Sequence, residues 1–171
     1  MPISVYITSF NKGAFLTQAI DSVLDQTLQP SEIIIVDDCS SDNSKDIING
    51  FKSRYPDRIN IIFNEQNLGI SKTRNIALQQ CRGDIITFLD GDDIFYEDKL
   101  LLEYEILSSN KDLSVVYSNF NYISPSGDNI GTFSEESDQP ATRDIFIETF
   151  LRRYNISSGN NYIYEMYYKR Q

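Results

Sequence analysis

The chain has 171 residues, 40% apolar and 12% aromatic, with 15 Lys plus Arg against 25 Asp plus Glu and a net charge of −10. That length fits one ordinary domain, able to bury roughly 70% of its unfolded surface, and the apolar content excludes a disordered chain. The acidic balance excludes the basic face of a sequence-independent nucleic-acid binder and disfavours an anionic membrane surface as partner.

Histidine does not occur, which removes Ser-His-Asp and Cys-His nucleophiles, the HExxH zinc motif and a histidine base. Cys39 and Cys81 are too few for a disulfide framework and point to a reducing, cytoplasmic setting. Met1-Pro2-Ile3-Ser4 offers neither a charged leader nor a long apolar run, so neither a signal peptide nor a membrane span is expected.

In chain order, residues 3–8 (ISVYIT) form a β-branched run suited to a buried strand. Phe15, Leu16, Ala19, Ile20, Val23 and Leu24 recur at helical spacing, with Gln29-Pro30 as the stop. Residues 32–36 (EIIIV) read as a strand covered on both faces. Ser40, Ser41 or Asp42 caps a helix striped by Ile47, Ile48 and Phe51. Residues 59–63 form a third strand, 71–80 a helix opened by Gly69, and 84–89 a fourth strand. A helix over 96–109 turns Leu100, Leu101, Tyr104 and Leu107 inward.

This alternation predicts βαβ units and a mainly parallel sheet. A further strand is expected at 115–117, and a hairpin around Ser124-Pro125-Ser126-Gly127-Asp128-Asn129. Residues 134–142 read as a polar loop, 144–153 as a short helix and 162–168 as an extended tyrosine-rich segment. That last segment either joins the core sheet, the preferred reading, or is an exposed strand through which the chain self-associates.

In parallel α/β sheets, ligands bind beyond the carboxyl ends of the strands. Here the first strand runs into Thr8-Ser9-Phe10-Asn11, the second into Asp37-Asp38 and the fourth into Asp90-Gly91-Asp92-Asp93. Five carboxylates at one rim repel one another and call for compensation. Mg²⁺ or Mn²⁺, bound by one or two carboxylates with phosphate and water, supplies it; the bland alternative is a capped turn. A strand-end carboxylate such as Asp38 can accept an N–H of uracil or guanine without choosing between them. Arg74 contacts a base or phosphate, or pairs with a rim aspartate; Phe10 stacks on a base or, by default, fills core. No GxGxxG follows the first strand and no P-loop occurs, which argues against nicotinamide and P-loop chemistry.

Together these runs resemble family 2 glycosyltransferases of the GT-A fold. The carriers are residues 4–12 (SVYITSFNK), 22–27 (SVLDQT), 35–42 (IVDDCSSD), Asn67-Leu68-Gly69 with Thr73-Arg74-Asn75, and 86–93 (ITFLDGDD). The resemblance covers about residues 3–120. It implies a Rossmann-like, mainly parallel sheet flanked by helices, with a small antiparallel hairpin region later in the chain. It also implies a nucleotide-diphosphate sugar donor, with a UDP-sugar favoured, bound through Mn²⁺ or Mg²⁺, and transfer to a carbohydrate or lipid-linked acceptor with inversion. By the same resemblance, Asp38 holds the base, Thr8 and Phe10 wall it, and Arg74 touches it further. Asp90 meets the ribose beside Gly91, and Asp92 holds the metal with Asp90. Cys39 departs from the family's usual glycine.

The family's base lies in an acidic pair beyond a small-residue segment such as Ser157-Ser158-Gly159; here Glu165 alone follows, so the catalytic base is unassigned. Glu135, Glu136 and Asp138 serve only if their loop folds over the sugar. The expectation is therefore a donor-binding core over 1–120 and an incomplete acceptor-side region over 121–171. The protein is expected to be cytoplasmic, or peripheral at the inner membrane in its full-length form. The competing readings are a nucleotide-sugar binder without transfer and a metal-dependent nucleotidyltransferase, which lacks its glycine-rich phosphate loop here.

Overall fold

A computed structural model describes residues 1–116, 118, 120–132 and 168–169. In chain order the elements are β1 (Ile3–Ser9), α1 (Gly13–Leu24), β2 (Glu32–Asp37), α2 (Ser44–Arg54), β3 (Ile59–Phe63), α3 (Ile70–Gln80), β4 (Ile85–Asp90), α4 (Lys99–Ser109), β5 (Asn121–Ile123), β6 (Asn129–Thr132) and β7 (Tyr168–Lys169). The chain divides into two compact units, Met1–Val116 with Met166–Gln171, and Tyr117–Glu165.

In the first unit β1 to β4 form a parallel sheet ordered β3-β2-β1-β4, and β7 pairs antiparallel to β4, with Ile86 opposite Tyr168. The described end of the tyrosine-rich segment thus joins the core sheet. Strand side chains alternate between faces. Ile3, Val5, Ile7, Ile33, Ile35, Ile85 and Leu89 share one buried cluster with Leu16, Ile20, Ile48, Phe51, Leu100 and Leu107. The opposite parity, including Tyr6, Ile34, Val36 and Phe88, is buried too, beneath α3, whose Thr73 and Ala77 face inward. Burial on both faces is why these strands read as unbroken apolar runs.

Several boundaries moved for identifiable reasons. α1 stops at Leu24, before Gln29-Pro30, because the Gln26 and Gln29 side chains donate to the Ser22 and Leu24 carbonyls at its end. α4 begins at Lys99 rather than Tyr96: the Tyr96 carbonyl accepts from the Gln26 side chain (2.7 Å) and the Glu97 carbonyl from the Thr27 N–H. The strand expected at 115–117 is not found at 115–116, and Tyr117 lies outside the described residues. Val116 is buried by packing into the core, with no strand partner among the described residues, so its β-branched signal reported burial.

In the second unit β5 and β6 form the expected hairpin, closed by the Ser124 N–H to the Asp128 carbonyl. The loop expected at 134–142, the helix at 144–153 and residues 162–167 lie outside the described residues, as do Glu135, Glu136, Asp138 and Glu165. Among the described residues no helix is long and apolar enough to cross a membrane.

Candidate functional site

Strand order sets the rim. β2 and β4 are not neighbours; β1 separates them, so Thr8 to Asn11 lie between the two acidic strand ends. α1 and α2 pack on one face of the sheet, and α3, which connects β3 to β4, packs on the other over β1 and β2; ligands of α/β sheets bind beyond the strand ends where the order reverses.

Thr8 and Asp90 are register partners on β1 and β4. The Thr8 hydroxyl donates to Asp90 Oδ1 (2.8 Å), and Arg74 Nη2, from the first turns of α3, donates to Asp90 Oδ2 (2.7 Å). The Arg74 guanidinium also lies 4.7 Å from the Phe88 ring centre, over its face. Three of the expected site residues therefore form one network, and Arg74 takes the ion-pair role weighed for it. Gly91 donates its N–H to the Thr8 carbonyl (2.9 Å). A Cβ there would stand 3.1 Å from that oxygen and 3.2 Å from Leu16 Cδ1, so a side chain would have to push β1 or Leu16 aside by a few tenths of an ångström.

Asp92 is partly exposed beyond that turn and pairs with Lys12, the residue that opens α1. Asp93 turns inward, and among the described residues its buried Oδ2 has no hydrogen-bond partner. Burial first, then the Asp92 and Asp90 charges, push its carboxyl up to about 7, while Lys12 and Arg74 pull the other way. The turn thus holds more carboxylate than the neighbouring cations answer. Among the described residues no three acids form a group able to hold a metal ion alone. One or two carboxylates with phosphate and water are sufficient for Mg²⁺ or Mn²⁺; Asp92 is the more exposed of the two acids flanking Gly91, while both Asp90 oxygens accept from Thr8 and Arg74.

Asp38 is 3% exposed. Its Oδ1 accepts from Asn64 Nδ2 and the Leu68 N–H, both at 2.8 Å, and its Oδ2 from the Gly69 N–H at 2.9 Å. Burial raises its pKa, yet the donors from Leu68, Asn64, Thr73 and Gly69 outweigh it and hold the carboxyl below its ordinary value. The ionised group pins the turn where Gly69, at φ 82, starts α3. Asp37, by contrast, is fully buried and turned into its own loop, accepting from the Ser40 N–H and hydroxyl; it is not a rim ligand.

Phe10 does not fill core: it is 45% exposed, just past the end of β1. The cause is Asn11, at φ 54, which turns the chain outward. That conformation is fixed by the Ser40 hydroxyl, which accepts the Asn11 N–H, and by Asn11 Oδ1, which accepts the Ser41 N–H. Asp42 completes the lock by accepting from the Gly13 and Ser44 N–H groups, so the anticipated capping set spends itself mainly on joining two loops.

Cys39, half-buried, sits at φ 64 in the same lock, a left-handed conformation that favours glycine. Cys39→Gly is therefore expected to raise unfolding stability by about 1 kcal/mol, and Cys39→Val to lower it, as read from urea midpoints at constant slope.

Sequence reasoning missed three contributors. Asn64, at the end of β3 as the aspartates are at the ends of β2 and β4, supports Asp38 and Thr73; that shared position was the signal. Gln26 is buried and stitches α1 to the segment after the rim, taking the Leu100 N–H on Oε1. Together with Ser22, which accepts the Phe95 N–H, it explains why residues 22–27 recur as a run although none reaches the rim. Lys12 stood in a matching run with no role attached.

A family model described as glycosyl transferase family 2 matches residues 4–166. The chain is 34% identical over 121 residues to the Escherichia coli UDP-Glc:alpha-D-GlcNAc-diphosphoundecaprenol beta-1,3-glucosyltransferase WfgD, covering 71% of this chain and 46% of that protein. It is 34% identical over 118 residues to the glycosyltransferase GlyG of Streptococcus pneumoniae serotype 4, covering 69% and 38% respectively. The crystal structure of S. aureus TarS 1–349 in complex with UDP-GlcNAc has a TM-score of 0.61 at 28% identity, covering 67% of this chain and 33% of that one. The chain thus spans less than half the length of these relatives. Because the family match runs through all four parallel strands and across the rim they carry, the chain belongs to glycosyl transferase family 2, on a GT-A fold.

Proposed function

We propose that this chain carries the donor half of a glycosyltransferase that moves a sugar from a UDP-sugar to an acceptor hydroxyl with inversion. The observation that carries the reading is the rim itself. An ionised base-side carboxylate (Asp38), the Thr8–Asp90–Arg74 network and an exposed acid (Asp92) line the carboxyl ends of three adjacent strands. TarS holding UDP-GlcNAc and WfgD being named for a UDP-Glc donor support the choice of uridine.

In this reading Asp38 Oδ2 accepts the imide N–H of the base, between Thr8 and the exposed ring of Phe10. Asp90 meets the ribose, held in place by Thr8 and Arg74. Asp92, with Asp90, binds Mn²⁺ or Mg²⁺, which when bound neutralises the diphosphate as leaving group. The acceptor is a carbohydrate or lipid-linked glycan, which suits a cytoplasmic protein working at the inner membrane face. A carboxylate base takes the acceptor proton; none of the described residues is assigned to it, and residues 121–171 form part of the acceptor side. A second reading is donor binding without transfer by the 171 residues alone, since none of the described residues is assigned as the base.

Calorimetric titration of UDP, GDP and dTDP, with and without Mn²⁺, tests both. UDP with Mn²⁺ is expected to bind tightest, and metal-dependent binding of none of the three would overturn both readings. Release of UDP from a UDP-sugar only when acceptor sugars are added separates transfer from binding alone.

A further inference from the structure

Three carboxylates crowd the turn after β4, and two cations stand against them: Arg74 on Asp90, and Lys12 on Asp92. The two pairs differ in kind. Arg74 lies over the Phe88 ring and reaches an oxygen on the strand itself, with Asp90 mostly covered. Lys12 and Asp92 are 38% and 37% exposed and meet across the mouth of the rim. An exposed ion pair of this sort shifts an equilibrium only about two- to five-fold, so it exchanges readily with a competing ion.

The backbone that carries Lys12 does not exchange. The Lys12 carbonyl accepts the Phe15 and Leu16 N–H groups, both at 2.9 Å. Asn11 before it is locked to Ser40 and Ser41, and Lys12 Cβ lies 3.4 Å from where a Gly91 side chain would begin. A flexible ammonium is thus tethered beside the acid of this turn that is best placed to hold a cation.

We propose that Lys12 is an exchangeable counter-cation. Without donor it neutralises Asp92; when a divalent cation takes Asp92, the released ammonium pairs with the diphosphate of the nucleotide. The inference rests on the donor reading above and adds a prediction that reading does not contain. Metal alone must displace Lys12, and nucleotide alone must draw Lys12 away from Asp92, so each ligand removes the obstacle to the other. Their binding is therefore positively coupled through Lys12, and the coupling is reciprocal. A lysine suits the exchange, because its compact charge swings on a flexible stem and has no fixed fork to align.

The test compares wild type, Lys12→Met and Lys12→Arg in three titrations: Mn²⁺ alone by the spin-resonance signal of the free ion, then UDP and uridine by calorimetry in saturating Mn²⁺. Lys12→Met is expected to bind Mn²⁺ alone about two- to five-fold tighter than wild type. It should bind UDP about tenfold more weakly, the loss of one charge-assisted contact, and uridine equally well. Lys12→Arg should restore most of the UDP affinity. Unchanged Mn²⁺ and UDP binding in Lys12→Met, beside a wild type that binds both, overturns the role of Lys12 and leaves the donor reading standing. Equal loss of uridine and UDP also overturns it, since that marks a distorted site. A wild type that binds neither uridine nor UDP removes the donor reading and this inference together.

Discussion

Asp92→Asn is expected to abolish the metal-dependent part of UDP affinity while leaving the fold intact. Asp92 is an exposed side chain beyond the Gly91 turn, and among the described residues its one ion pair is with Lys12; its amide isostere keeps the volume and loses the charge. Residues that merely orient a metal ligand cost about 10–100-fold in metal affinity when changed, and a direct ligand should cost no less. The control lies in the metal-free titration. Removing one negative charge and freeing Lys12 should leave UDP binding without Mn²⁺ equal to wild type or slightly tighter. Calorimetry in Mn²⁺ and in chelator reads both arms. Retained Mn²⁺ dependence would place the metal elsewhere, and loss of binding in both conditions would mean that Asp92 supports the site structurally.

Lys99→Met should destabilise the chain by about 3–5 kcal/mol, although it replaces a charge by an apolar group of similar length. Lys99 Nζ lies 2.7 Å from Glu103 Oε2 on α4, and the side chains are 8% and 4% exposed. The ammonium also lies 4.7 Å from the Phe95 ring centre. Removing the lysine takes away a cation paired with a buried carboxylate, whereas Lys99→Met with Glu103→Leu removes both charges and should recover most of the loss. Burial pushes the Lys99 pKa down from 10.5 to about 8, against the opposing charge and hydrogen bond of Glu103. Between about pH 8 and 10.5 the unfolded chain holds that proton and the folded chain does not, so wild-type stability rises with pH across that window. The doubly substituted chain should lack that rise. Denaturant melts of the three proteins at pH 7 and pH 10 check both statements; equal stability of wild type and Lys99→Met at pH 7 would show that the pair carries no load.

β1, β2 and β4 were legible because each is buried on both faces, so apolar and β-branched residues dominate them and Ile33 to Val36 run without a break. The rim acids were legible for a related reason. A carboxylate directly after such a run has left the apolar layer, and Asp38, Asp90 and Asp92 all do so. Phe10 and Asp37 show where this logic stops. A ring after a strand reads as core until Asn11 adopts φ 54 and turns it out, and an aspartate after a strand reads as a ligand until Ser40 draws it in. The first outcome depends on the meeting of loops nearly thirty positions apart, which local spacing does not encode; the second is a contact only three positions along the chain.

By itself, then, the sequence determined the alternation of strand and helix, the parallel sheet and the acids, without histidine, at the ends of its strands. The tertiary structure alone decided which acid meets which cation. Strand order β3-β2-β1-β4 sets β1 between the acidic ends, brings Thr8 to Asp90 and Lys12 to Asp92, and lets Asn64 and Gly69 take hold of Asp38. The physical reason is that hydrophobic burial is a property of each segment and is written along it. Pairing between charges is a property of the distances that chain crossovers create, and at a rim half open to water those distances decide which carboxylates stay available to a ligand.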